Sequence, residues 1–117
     1  MSVVAEATGR GDVLIRRGVT TEWGVRWERS TDAGVTFAPV DMLGWTGVME
    51  LRSIQSELWL TKSVQCSDDG LAIVTLDPDD LAAAEWGGRS QGTWLINVTD
   101  PDGRVERLGD GYFYLEA

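Results

Sequence analysis

Between Asp68 and Leu115 the chain alternates short apolar runs with turn chemistry so regularly that few folds can accommodate it. Asp68-Asp69-Gly70 launches Leu71–Leu76, and Asp77-Pro78-Asp79-Asp80 follows as a helix start. Trp94–Val98 is a second run, and Asp100-Pro101-Asp102-Gly103 turns the chain into a third. Runs of about four to eight apolar residues bounded by Gly, Pro and Asp read as strands. The same rhythm governs the upstream half.

Asp12–Arg17 reads as a short strand ended by Gly18, after a patternless leader over residues 1–10. In Thr21–Arg29, Trp23, Val25 and Trp27 share one face and Glu22, Arg26 and Glu28 the other, which is the two-residue period of a strand. Ser30–Leu43, with Asp32, Gly34, Pro39 and Asp41, reads as a long turn. Gly44–Ser53 and Leu58–Cys66 alternate again. In the latter Leu58, Leu60, Val64 and Cys66 are expected inward, and Trp59, Thr61, Ser63 and Gln65 outward. Both alternating sets of Leu71–Leu76 are apolar, so periodicity leaves its face open. Val105–Leu108 and Tyr112–Leu115 read as strands separated by a break at Asp110-Gly111. The expected architecture is all-β: one domain over residues 1–117, an immunoglobulin-like antiparallel β-sandwich of seven to eight strands with one short helix.

For that helix, Asp77 suits the N-cap, Pro78 the first helical position and Asp80 the capping-box position, and Gly87-Gly88 supplies the stop. Capping therefore accounts for a carboxylate trio that could be mistaken for a metal cluster. Asp100-Pro101-Asp102-Gly103 has the residues of a type I turn with a bulge.

Function classes fall away by residue type. The chain has no histidine and a single cysteine, Cys66. This removes Ser-His-Asp and Cys-His nucleophilic systems, His-based zinc sites and an internal disulfide framework. Cys66 lies in an alternating run and reads as a small buried hydrophobe. Gly9-Arg10-Gly11 is followed by no Walker lysine. A net charge of −9 with scattered basic residues argues against DNA or RNA. No basic-then-apolar leader marks a signal peptide, and no apolar stretch approaches a membrane span. The expectation is a non-enzymatic protein without cofactor, metal or membrane, made in a cytoplasm.

The six tryptophans remain. Trp23, Trp27 and Trp94 fall on apolar strand faces and Trp45 at a strand start, and all four read as core. Trp59 falls on a polar face and Trp86 beside Gly87-Gly88. These two are the candidate contact residues, and Ser30–Leu43 and Trp86–Gln91 the candidate contact surfaces.

The order of motifs carries a resemblance. Asp12–Gly18, Glu22-Trp23 through Trp27, and Pro39-Val40-Asp41-Met42-Leu43-Gly44-Trp45 occupy the first half. Gly70, Leu76-Asp77-Pro78, Gly92-Thr93-Trp94, Asp102-Gly103-Arg104-Val105 and then Gly109 or Gly111 occupy the second. Over roughly Asp12–Glu116 the chain resembles the immunoglobulin-like sandwich domain at the N-terminus of phage baseplate upper proteins, and small tail- or fibre-associated proteins of actinobacterial phages. It departs from them in Trp94, where tyrosine is usual, and in lacking a downstream receptor-binding region. The resemblance implies a virion structural protein of the tail, baseplate or fibre. Its partners would be other virion structural proteins, with a second copy of the chain among the candidates. The rival expectations are a small carbohydrate-binding module for host surface glycans and a head–tail adaptor.

Overall fold

The computed structural model describes residues 9–116. Strands β1 (Gly9–Arg10), β2 (Val13–Arg16), β3 (Thr21–Arg26), β4 (Glu28–Arg29) and β5 (Ala38–Pro39) fill the first third. They are followed by β6 (Thr46–Arg52), β7 (Leu58–Cys66), β8 (Leu71–Leu76), β9 (Gln91–Thr99) and β10 (Val105–Glu116). Eight of them form one folded-over sheet in the order β1-β10-β9-β6-β7-β8-β3, with β2 continuing β1 along the same side of β10, while β4 and β5 pair separately. The all-β sandwich expected from the alternation is therefore the fold that forms.

The long strand β7 joins the two layers. Most of it pairs with β6, whereas Gln65 and Cys66 pair with Ile73 and Ala72 of β8. β8 in turn carries β3, which lies back over the first layer and sets Trp23 edge-on to Trp94 of β9, ring centroids 6.0 Å apart. Ile15, Met49, Leu51, Val74, Leu76, Ile96, Val98 and Phe113 fill the space between, each 1% exposed or less. Burying each of these side chains contributes roughly 1.5–3 kcal/mol before the entropy of ordering it is subtracted. In Leu71–Leu76 the inward set is Ala72, Val74 and Leu76. Cys66 is half-buried against the same core, and that burial pushes its thiol pKa up.

Five expectations need correction. The sandwich is not purely antiparallel, because β1 and β2 run parallel to β10, with Gly9 beside Gly109 and Val13 beside Phe113. Gly9 and Arg10 thus belong to the sheet rather than to the leader, whose residues 1–8 lie outside the described residues. The last two expected strands are one strand, β10. Its irregularity falls between Arg107 and Gly109, so Asp110 and Gly111 continue the ladder.

The single helix is replaced by two 3-10 turns, Pro78–Leu81 and Ala84–Gly88. The capping chemistry is there: the Asp77 N–H donates to Asp80 Oδ2 at 2.7 Å, and Lys62 Nζ sits 2.7 Å from the same oxygen. What prevents a continuous α-helix is the spacing of the apolar anchors. Leu81 and Trp86 are both buried but five residues apart, about 140° around an α-helix at 3.6 residues per turn. The extended backbone of Ala83 between the turns lets both side chains point inward.

The fifth correction concerns Leu58 and Trp59. Leu51 pairs with Leu60 but Arg52 pairs with Leu58, leaving Trp59 as the extra residue of a β-bulge. That one-residue slip exchanges the faces of everything before it. Leu58 is turned outward, 48% exposed, and Trp59 inward onto the core cluster.

The Asp100–Gly103 turn has the expected chemistry. Gly103 has φ +88°, and its N–H donates to the Asp100 carbonyl at 3.0 Å. Asp100 Oδ1 accepts from the Asp102 and Arg104 amides at 2.9 and 3.0 Å.

Candidate docking surfaces

The two tryptophans singled out from the sequence meet, but inside the protein. Trp59 and Trp86 pack edge-on with centroids 5.7 Å apart, and Trp59 also meets Phe113 edge-on at 6.2 Å. The Arg89 guanidinium lies between their rings, 4.4 Å from the Trp59 centroid and 4.5 Å from that of Trp86. A planar cation between two indoles is a favourable arrangement because the ring faces are electron-rich. Arg17 closes the cluster by donating to the Trp86 carbonyl at 2.6 Å and to the Arg89 carbonyl. Trp86 is 3% exposed, so its ring is not presented to a partner. Trp59 is half-buried, with its Nε1 donating to Glu57 Oε1 at 2.9 Å. The exposed-anchor picture of these residues is thus replaced by a cluster that fastens Trp86–Gln91 to the sheet.

The Ser30–Leu43 segment, in contrast, presents much of its length to solvent. Val35 is 79% exposed and Leu43 70%, with Phe37 also exposed. The segment is nevertheless ordered by its own polar residues. Buried Ser30 accepts from the Gly34 amide at 2.8 Å and donates to Asp32 Oδ1 at 2.8 Å, and Asp32 also accepts from the Thr36 amide at 2.9 Å and from the Thr36 hydroxyl. These bonds favour the charged carboxylate, the Thr36 hydroxyl most of all, and hold the Asp32 pKa down from 3.8 to about 2. A group with a depressed folded pKa stabilises the fold above its unfolded pKa and loses that contribution as pH falls through the folded value. A carboxyl 13C titration should therefore place Asp32 near 2 and show the Thr36 amide shifting only below about pH 4. A midpoint near the unperturbed value would mean that the turn is not held this way.

A third surface was not legible as a site. The outer side of β10 carries Tyr112 and Tyr114, two residues apart and both exposed. The parallel register sets Tyr114 beside exposed Leu14 of β2, and Thr93 and Gln91 flank the two tyrosines from β9. Four consecutive apolar residues, Tyr112–Leu115, gave periodicity nothing to choose between. The Phe113 side packs inward, leaving the tyrosines out.

Among the described residues no group of three His, Cys, Asp or Glu side chains converges as metal ligands. Asp77 and Asp80, from the expected capping trio, face Lys62 at 3.8 and 2.7 Å, and the ammonium pKa is raised, chiefly by its hydrogen bond to Asp80. No described helix is long and apolar enough to cross a membrane.

No family model matches the chain, and no curated protein does. Among solved structures, CopC from Methylosinus trichosporium OB3b aligns over 94% of this chain and 84% of that one at 12% identity. Its TM-score of 0.40 is too low to carry an argument. The N-terminal domain of phage TP901-1 ORF48 aligns over 92% of this chain and 86% of that one, with 12% identity and a TM-score of 0.52. What the chain shares with that phage domain is its fold.

Proposed function

We propose that this protein is a non-enzymatic structural component of a phage or prophage virion, a tail, baseplate or fibre-associated domain that works by docking onto neighbouring proteins. The observation that carries the reading is the fold shared with the N-terminal domain of phage TP901-1 ORF48 over nearly the whole of both chains. The motif order from Asp12 to Glu116 points the same way, and the lack of histidine removes the commonest general base. Exposed Val35, Phe37 and Leu43 give the Ser30–Leu43 segment the apolar surface a protein partner would cover. A head–tail adaptor would use the same fold at another position in the particle.

Quantitative mass spectrometry of purified particles, from the strain whose genome carries the gene, tests the reading. The protein should copurify at a fixed ratio to the major tail protein through a density gradient. Its absence from intact particles that contain every other tail protein would contradict the proposal.

A second reading, a module for host surface glycans, is favoured by Tyr112 and Tyr114 together on one exposed face, since aromatic faces stack on sugar rings. Binding to a glycan array that is abolished by Tyr112→Ala with Tyr114→Ala would support it. No glycan signal, with the protein present in virions, would leave the structural reading alone.

A further inference from the structure

Among the described residues, the strands at each end of the folded sheet have a partner on one side only. β1 and β2 pair with β10, β3 pairs with β8, and among the described residues no ladder joins β2 to β3. Which backbone groups are left open follows from the register. The Trp27 N–H donates to the Gly70 carbonyl, and the same antiparallel phase continues through Val25 opposite Ala72, Trp23 opposite Val74 and Thr21 opposite Leu76. Alternate residues of such a ladder turn their backbone groups to the partner. Glu22, Gly24 and Arg26 therefore turn theirs to the open side. On the other edge, the Gly11 and Arg17 amides donate to the Asp110 and Glu116 carbonyls. Val13 and Ile15 share their phase, which leaves Asp12 and Leu14 facing outward.

The two open edges face each other across a groove. It has a volume of about 340 Å³ and is lined by residues 10–13 on one side, residues 23–26 on the other and Trp94 of β9. Its apolar surface comes from Val13, Trp23, Val25 and Trp94, all packed in or against the core. Among the described residues, buried Trp23 Nε1 has no hydrogen-bond partner. Arg26 and Asp12 form none of the ion pairs found there, whereas Arg10 is paired with Asp110 at 3.1 Å.

We propose that this groove receives an extended segment of a neighbouring polypeptide. The segment pairs its backbone with the open edges and points an apolar side chain at Trp23 and Trp94. An acidic side chain on it meets Arg26. An unpaired strand edge is a template for another strand, with the backbone bonds supplying affinity and the pockets selectivity. Charge complementarity orients the segment: among the described residues, Arg26 on the β3 side and Asp12 on the β2 side are the groove charges in no ion pair, so the acidic side chain lies against β3 and away from β2. In a virion the segment would come from the docking neighbour, so the biological role rests on the function proposed above. The recognition chemistry does not.

The test uses the 15N-labelled protein and the synthetic peptide acetyl-Thr-Val-Glu-Val-Thr-Val-amide. Two controls accompany it: the same peptide with alternate amides N-methylated, and a version with Lys in place of Glu. Binding should shift the amides of Asp12, Leu14, Glu22, Gly24 and Arg26. The N-methylated peptide should bind at least about tenfold more weakly. In the Arg26→Glu variant, whose side chain is exposed, the preference should reverse from the Glu to the Lys peptide. Equal binding of the N-methylated peptide, shifts confined to the Tyr112–Tyr114 face, or no shift at about 1 mM peptide would each overturn the proposal. So would self-association that shifts the same edge amides without peptide, since the occupant would then be a second copy. Peptide binding by a protein missing from virions would remove the virion reading and leave the groove. Virion incorporation without peptide binding would do the reverse.

Discussion

Trp86→Ala is expected to destabilise the fold by about 3–5 kcal/mol, the cost of deleting a buried aromatic side chain and leaving its cavity. The ring is 3% exposed, packs edge-on against Trp59 and forms one wall of the slot that holds the Arg89 guanidinium. Removing it leaves Arg89 stacked on a single ring and loosens the carbonyls that Arg17 holds. Urea denaturation, followed by the fluorescence of the remaining tryptophans and by circular dichroism, reads the loss directly. A surface contact residue would change stability by no more than about 0.5 kcal/mol. A change that small would return Trp86 to the surface and dissolve the cluster described here.

Gly111→Ala should be nearly as damaging for a different reason. A Cβ at Gly111 would come within 1.8 Å of the Gly11 carbonyl oxygen and 3.0 Å of Trp94 Nε1. That carbonyl is the acceptor for Trp94 Nε1 at 3.0 Å, and the Gly11 amide donates to Asp110 at 3.2 Å. The only relief is to push the link between β1 and β2 off β10, breaking both bonds. Overpacking of this kind costs about 1–3 kcal/mol, occasionally more. At the upper end the melting temperature should fall by about 10 °C in a domain of this size. Gly88→Ala is the control, because nothing lies within 4 Å of its added Cβ and its φ is not in the left-handed region. If Gly111→Ala melts like Gly88→Ala, the first strands are not stitched to the last one as described.

Where signals are local, sequence and structure agree closely. β7 begins at Leu58 and ends at Cys66 as the alternation indicates, and β8 spans Leu71–Leu76 between an Asp-Asp-Gly turn and Asp77-Pro78. The disagreements arise where a distant partner decides. Nothing around Val13 announces that its neighbour in the sheet is Phe113, because parallel pairing has no tight turn to mark it. The Trp59 bulge slips the register by one residue, so a correct reading of alternation assigns the wrong face to both Leu58 and Trp59. Asp77, Pro78 and Gly87-Gly88 locate a helical segment, but the demand that both Leu81 and Trp86 be buried breaks it into two turns. Trp86 follows the same rule: flanking glycines suggest an exposed loop, and only the three-dimensional position of Arg17 and Trp59 shows what closes over it. The exposed tyrosines of β10 and the open edges of β2 and β3 depend on sheet order, which local patterns do not contain.

The measurement that bears most directly on the account is immunogold labelling of intact particles from the strain carrying the gene, with antibody against this protein. The docking role predicts label at the distal tail, where baseplate and fibre components sit. Particles that consistently bear no label, although the antibody recognises the folded protein in solution, would contradict it.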